Sequence, residues 1–365
     1  MSGGDKDRLN QNSKPEMEII VNYYRSLLSH PSPENEKKVK IIGRLFYQLL
    51  IEPMESQLKD KTELLIVPTG LLGFLPFETL MDADGKYLIE KYHIRYIQSL
   101  GVLKLLEQRI YSTTRKPMLA FGGAVYNPMT YQSDMIQNET QLAVLKKNVT
   151  STIARGEPLQ SSYHQLGFGQ WNNLPGTLTE VQGLQAIVPD AELKTGIQVT
   201  ETEVKELSEK GDLKNYKVLH FAVHGVVVPA VPELSAVVLS QVEKYNQTDD
   251  GYLTMKEIEK LKLHADFVNL SACETGLGKL YEGEGVVGLT QAFLIAGANG
   301  LSVSLWEVSD ESTSLLMQKV YELVEKEKIG YSLAISKVKR MFITGQYGEK
   351  YQNPYYWAPF VYYGQ

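Results

Sequence analysis

The chain has 365 residues, 43% of them hydrophobic and 22% charged, with a formal net charge of −6. That composition is ordinary for a globular protein and is long enough for two domains. The acidic balance and the absence of a long basic run disfavour a nucleic-acid or anionic-membrane surface, where clustered Lys and Arg dominate binding. A single cysteine forms no internal disulfide, the polar stretch Met1 to Asn12 lacks a signal-peptide pattern, and no apolar run is long enough to span a bilayer. These features predict a cytoplasmic protein.

In chain order, residues 1 to 15 read as an unstructured extension. Helical spacing runs from Met17 to Leu28 and stops at His30-Pro31-Ser32-Pro33; a second helix is expected from Glu36 to Leu50. Glu63-Leu64-Leu65-Ile66-Val67 and Pro117 to Phe121 read as buried strands. Between them, Leu75 to Leu80 and Tyr87 to Ile97 suggest a hairpin, and Ser99 caps a helix through Arg109. Residues 151 to 175 lack periodicity and are rich in turn formers, which predicts a long connecting loop.

Beyond it, helices and strands alternate. The spacing predicts helix Thr179–Val188, strand Glu192–Thr195, helix Thr202–Lys210, strand Val218–His224, strand Ala236–Ser240, helix Met255–Leu261 and strand Phe267–Ala272. Helix Val286–Ala296, strand Leu301–Trp306, helices Ser312–Lys326 and Ser332–Phe342, and a strand at Trp357–Tyr362 complete the series. That rhythm specifies an α/β fold with a mostly parallel sheet covered by helices, whose chemistry gathers at the C-terminal strand edges.

Two of those strands end in reactive side chains. Val218 to Gly225 closes in His224-Gly225, and Asp266 to Gly276 contains Cys273, 49 positions further on (273 − 224). A lone histidine or cysteine is more often packing than chemistry, and His220, deeper in its strand, is read as a buried histidine bonded within the sheet. A thiol and an imidazole delivered to one sheet edge instead match a caspase-type nucleophile and base. The small neighbours Ser271 and Ala272 leave room for a substrate. On this reading Cys273 attacks a carbonyl, His224 takes and returns the proton, and the N–H groups of Gly225 and Cys273 form the oxyanion hole.

These segments resemble the CHAT domain, a caspase-like cysteine protease family related to separase. The resemblance rests on Leu174-Pro175-Gly176-Thr177 with Glu180-Val181, His220 to Gly225, Leu270 to Gly276, Glu282 to Leu289, Ala292 to Ala298, Ser304 to Asp310 and Trp357 to Phe360. Val67 to Gly70, Leu75 to Phe77 and Tyr87 to Glu90 extend it into the first half, so it covers roughly residue 40 to the end. It implies an N-terminal extension (1–35), a degenerate caspase-like lobe (36–150), the connecting loop (151–175) and a catalytic caspase-like lobe (176–365). It also implies endopeptidase activity on a specific protein substrate, in a regulated setting such as bacterial defence or programmed cell death, where relatives cut gasdermin-like proteins. Neither metal nor organic cofactor is required by that mechanism. Family members often carry tetratricopeptide arrays, but no 34-residue repeat is visible in this sequence.

Asp310 occupies the place where a similar Trp-containing motif in separase supplies an aspartate to the S1 pocket, which implies cleavage after Arg or Lys. Its alternative role is a helix cap, shared with Ser309. Glu282 is the second candidate acid for substrate binding. Arg155, in an exposed Arg-Gly-Glu-Pro context within the expected loop, suggests that this segment is cut in trans or ordered by an activating protein partner or a substrate; the alternative is a passive connection between the two lobes. Two rival functions stand beside the peptidase: a non-catalytic caspase-like scaffold, and a dinucleotide-binding enzyme. The latter rests on Gly283-Glu284-Gly285-Val286-Val287-Gly288 with Glu307 about 20 residues on, a weak signal because Cys273 to Tyr281 intervene between strand and first glycine.

Overall fold

The computed structural model describes residues 17, 19–126, 138–228, 230–241, 249–271, 274–275, 285–307 and 309–365. Helix α1 (19–29) and helix α2 (Pro33–Leu50) pack through Tyr24 and Phe46, whose rings meet edge to face at 5.5 Å. Helix α2 begins three residues before the predicted start. Pro33 suits a first helical turn, and the Ser32 hydroxyl accepts the Asn35 N–H at 3.1 Å.

Strands β1 (Glu63–Ile66) and β2 (His93–Tyr96) pair in parallel, so the hairpin expected over 75–97 does not form. Only a single antiparallel bridge, Met81 to Tyr87, remains of it. The reason is local: Phe74, Leu75, Phe77 and Leu80 are all buried, without the alternation a strand needs, and the chain takes short 3-10 turns at Gly70–Phe74 and Phe77–Thr79. Helix α3 (Leu100–Glu107) then leads to β3 (Lys116–Gly122).

The segment predicted as a loop over 151–175 is largely ordered structure. Helix α4 (Glu139–Arg155) starts where the Asn138 side chain accepts the Gln141 N–H, and it ends at Gly156 in a left-handed conformation (φ +66°). Arg-Gly-Glu-Pro is therefore a helix terminus. Arg155 lies in the last turn of the helix, exposed and ion-paired with Glu157. Helix α5 (Gln160–Gln165) follows, and Tyr163, Leu166, Phe168 and Trp171 are all buried. Tyr163 stacks on Tyr252 at 3.7 Å, so the aromatic residues of this stretch anchor it to the body of the protein.

The remaining elements are helix α6 (Pro175–Ile187), β4 (Glu192–Thr195), helix α7 (Glu201–Glu209), β5 (Tyr216–Ala222), β6 (His224–Val227), β7 (Ala236–Val238), β8 (Tyr252–Thr254) and β9 (Phe267–Leu270). Strand β10 (Glu274–Thr275), helix α8 (Gly285–Ala296), β11 (Gly300–Ser304), helix α9 (Asp310–Glu327), helix α10 (Tyr331–Ile343) and β12 (Phe360–Gly364) complete the chain. Trp357, predicted in the last strand, instead ends a short helical turn begun by Pro354.

An eight-stranded sheet runs in the order β1-β2-β12-β11-β9-β5-β3-β4, and every neighbouring pair is parallel except β11–β12. The expected α/β architecture is what the chain forms. Strand β3, from the first 150 residues, lies between β5 and β4, and so the sheet runs continuously across the expected lobe boundary. Side-chain alternation sorts the two faces: His220 meets Tyr321 of α9, whereas its neighbour Phe221 meets Phe293 of α8. Helix α6 approaches β3 so closely that a Cβ at Gly122 would collide with the Thr177 carbonyl and the Val181 side chain.

Strand β5 stops at Ala222, one correction to the sequence reading that bears on chemistry. After Val223 the chain turns away, and His224 opens β6, part of a separate four-stranded sheet ordered β10-β6-β7-β8. His224 thus does not share a strand face with His220.

Candidate active site

The parallel strands β3, β5, β9 and β11 present their C-terminal ends on one side, and the predicted site residues follow those ends in sequence. His224 is half-buried at the start of β6. Its backbone N–H donates to the Tyr126 hydroxyl at 3.2 Å, and its ring lies between Tyr126 and Trp171, with centroids 5.0 and 4.9 Å away. Tyr126 is itself fixed, donating to the Val238 carbonyl at 2.8 Å; Trp171 donates to the Tyr252 hydroxyl at 2.9 Å.

The decisive contact is from His224 Nε2 to the Asn172 carbonyl, 2.8 Å. A carbonyl only accepts, so Nε2 carries the hydrogen and Nδ1 is left as the basic nitrogen. Burial pushes the imidazole below its ordinary range; the Asn172 carbonyl and then the charges of Glu307 and Asp310 pull the other way without reversing the shift. A neutral imidazole of fixed tautomer is what a general base requires.

Cys273 lies outside the described residues, as do Ala272 and Glu282. Its described neighbours run beside β5 on the one side and beside β6, which His224 opens, on the other. The Ser271 N–H donates to the Phe221 carbonyl at 3.0 Å, and Glu274 and Thr275 pair in parallel with Val226 and Val227. Gly225, the proposed oxyanion donor, is buried in β6 opposite Val237.

Asp310 is the first residue of α9, while Ser309 is the N-cap and accepts the Ser312 N–H. The Asp310 carboxylate instead accepts the N–H of Gly176 at 3.2 Å. That approach demands glycine, because a Cβ at position 176 would overlap both Cβ and Oδ2 of Asp310. Asp310 is partly exposed, and the Gly176 it binds lies four residues after Asn172, whose carbonyl holds His224.

Beneath these groups is a buried polar cluster. Glu180 Oε1 accepts from His220 Nε2 and from the Ser271 hydroxyl, both at 2.9 Å. The Asn269 amide donates to Ser271 Oγ at 2.6 Å and faces His220 Nδ1 at 3.3 Å, with the Tyr321 hydroxyl 3.0 Å from the same nitrogen. His220 is therefore bonded chiefly to the covering helices, and only in part within the sheet as expected. Among the described residues, no group of three or more His, Cys, Asp or Glu is arranged to hold a metal ion, and no helix is long and apolar enough to cross a membrane.

The model of the CHAT domain family matches residues 40–365. The chain belongs to this family. Tetratricopeptide repeat protein 28 of Homo sapiens is 22% identical, covering 87% of this chain and 13% of its own length, and the Mus musculus protein of that name gives the same figures. The chain thus spans about an eighth of the curated relatives it matches. Among solved structures, the Saccharomyces cerevisiae separase–securin complex is 15% identical with a TM-score of 0.44, covering 87% of this chain and 17% of that one. The complex of Porphyromonas gingivalis RgpB pro- and mature domains is 10% identical with a TM-score of 0.46, covering 97% and 76%.

Within this CHAT domain, sequence reasoning missed Asn172, Trp171 and Tyr126. Asn172 acts through its backbone carbonyl, which leaves no side-chain signal. Trp171 carried one: it is among the three tryptophans of the chain and sits four residues before the Pro175-Gly176 motif.

Proposed function

We propose that this CHAT domain is a cysteine endopeptidase in which Cys273 is the nucleophile and His224 the general base and then acid. The observation that carries the reading is the His224 imidazole, kept neutral by burial and bonded through Nε2 to Asn172, beside strands that flank Cys273. In the reaction, His224 Nδ1 accepts the thiol proton as sulfur adds to the scissile carbonyl, and the imidazolium returns it to the leaving amine. Water then hydrolyses the thioester with the same base. The N–H groups of Gly225 and Cys273 stabilise the oxyanion. Asp310, held by Gly176, selects a basic P1 side chain, preferring Arg where the pairing is bidentate. The substrate is a protein partner cut at an accessible basic site.

A panel of fluorogenic peptides varied at P1, tested on the wild-type chain and on Cys273→Ala and His224→Ala, decides the matter. Turnover is expected only in the wild type and fastest after Arg or Lys, with iodoacetamide labelling Cys273. Undiminished turnover in Cys273→Ala rejects the peptidase reading, and equal rates on Arg and Asp peptides reject the acidic pocket.

A further inference from the structure

We infer that Glu180 is a positioning residue for this site: its buried carboxylate ties the strand that leads to His224 and the strand that leads to Cys273 to a single helix. The inference rests on the peptidase reading for its catalytic consequence, but its geometry lies wholly within described residues. Glu180 is 2% exposed, His220 0% and Ser271 6%. His220 and Asn269 are register partners on adjacent strands β5 and β9, and Ser271 lies two residues further along, on the same face. A single carboxylate oxygen, Oε1, receives hydrogen bonds from both strands.

Holding a helix on a sheet does not require this. Apolar side chains of similar volume would do it at least as well, because a carboxylate taken out of water gives up its hydration. What the carboxylate adds is direction, since hydrogen bonds fix distance and angle where apolar contact does not. The same helix, α6, also holds the other parts of the site. The Gly176 N–H binds Asp310, the Thr177 hydroxyl accepts the Gly123 N–H at the end of β3, and the residues just before α6 supply the Asn172 carbonyl and Trp171 ring to His224. Helix α6 is thus a common frame, and Glu180 is the point where it locks both strands. His220 lies four residues before His224 and Ser271 two before Cys273, so a slip at Glu180 displaces base and nucleophile relative to each other.

The test compares Glu180→Gln, which keeps Oε1 as an acceptor for both donors, with Glu180→Ala and Ser271→Ala, each in the full chain. Two quantities are read: kcat and KM on the best peptide, and the pH dependence of iodoacetamide alkylation, which reports Cys273 alone because the chain has one cysteine. Glu180→Ala should lower kcat by up to about 100-fold, the cost of a small misplacement, with KM little changed. Its alkylation profile should move toward that of a free thiol. Glu180→Gln should restore both quantities to within a few-fold of wild type, which a charge-dependent role would not do. Glu180→Leu, which fills similar volume without an acceptor, should not restore them, whereas under a purely packing role it would. If Glu180→Ala fails to fold, Ser271→Ala carries the test with a smaller packing change and a smaller loss in the same direction. Wild-type kcat and an unshifted alkylation profile in a folded Glu180→Ala or Ser271→Ala protein overturn the inference. A chain that cleaves no peptide, yet whose alkylation profile shifts on Glu180→Ala and returns on Glu180→Gln, sinks the peptidase reading and sustains the positioning role.

Discussion

His224 carries a pH signature with a definite sign. Burial lowers its pKa, so the imidazole remains an unprotonated base into more acidic solution than a solvated histidine, whose ordinary value is about 6.5. The acidic limb of kcat/KM should therefore fall below that value. Asp310 raises the same pKa, and so Asp310→Asn should move the limb further toward acid; a peptide with neutral P1 isolates this effect from substrate binding. A limb that stays put in Asp310→Asn would remove the aspartate from the neighbourhood of the base. Gly176→Ala gives an independent reading of the same carboxylate. The added methyl overlaps Asp310, so it should erode the preference for basic over neutral P1 while leaving turnover of neutral peptides within a few-fold. Measurement of kcat/KM on matched Arg and Ala peptides checks it. His224 stands out in the sequence because it precedes a glycine after an apolar run, and the structure sets its ring against Tyr126 and Trp171; Cys273, singled out on similar grounds, lies outside the described residues. The partner that fixes the tautomer was not legible, because Asn172 contributes a carbonyl that every residue type possesses.

At the scale of elements, the segment between α5 and α6 is the wall of the site. Trp171 is buried, donates to Tyr252 and lies 4.9 Å from the His224 ring; the next residue supplies the carbonyl. Trp171→Ala should cost about 3–5 kcal/mol of stability, the range for emptying a large aromatic site, and should lower kcat more than it raises KM, because it frees the His224 ring without touching Asp310. Chemical denaturation and steady-state kinetics on one preparation separate the two effects, and a change in KM alone would assign Trp171 to substrate binding. This region was the least legible part of the chain. Helix α4 buries only Leu145 and Val149, and its terminal Arg-Gly-Glu-Pro reads as loop when the cap geometry cannot be seen. The core helices and strands of the second half were legible because their apolar spacing is dense. The break between β5 and β6 was not, since Val223 is as apolar as the strand on either side of it.

For the whole molecule, the strands of the eight-stranded sheet were readable, whereas the short β8 and β10 were not, and strand order was not: nothing local to Lys116–Gly122 says that it pairs with both β4 and β5. The sheet instead closes through contacts distant in sequence, and one of them predicts how the protein unfolds. Lys339 of α10 and Glu78, ahead of β2, form an ion pair at 2.9 Å with both side chains buried, and the Tyr96 hydroxyl of β2 donates to the same carboxylate. Arg340 beside it reaches the Ile89 carbonyl at 2.7 Å. These bonds clamp the β1–β2 edge to a helix formed more than 200 residues later. Removing one partner leaves a buried charge uncompensated, so Lys339→Ala should destabilise the chain by about 3–5 kcal/mol. Replacing both, as Lys339→Met with Glu78→Leu, should recover much of that loss, because no charge then remains to be desolvated. Since β1, β2 and β12 continue the same sheet that carries the site, the loss should appear as one cooperative transition shifted to lower urea, followed together by tryptophan fluorescence and far-ultraviolet dichroism. Two separated transitions in Lys339→Ala would instead show that the edge strands melt as a unit of their own, and that the clamp rather than the continuous sheet holds the halves together.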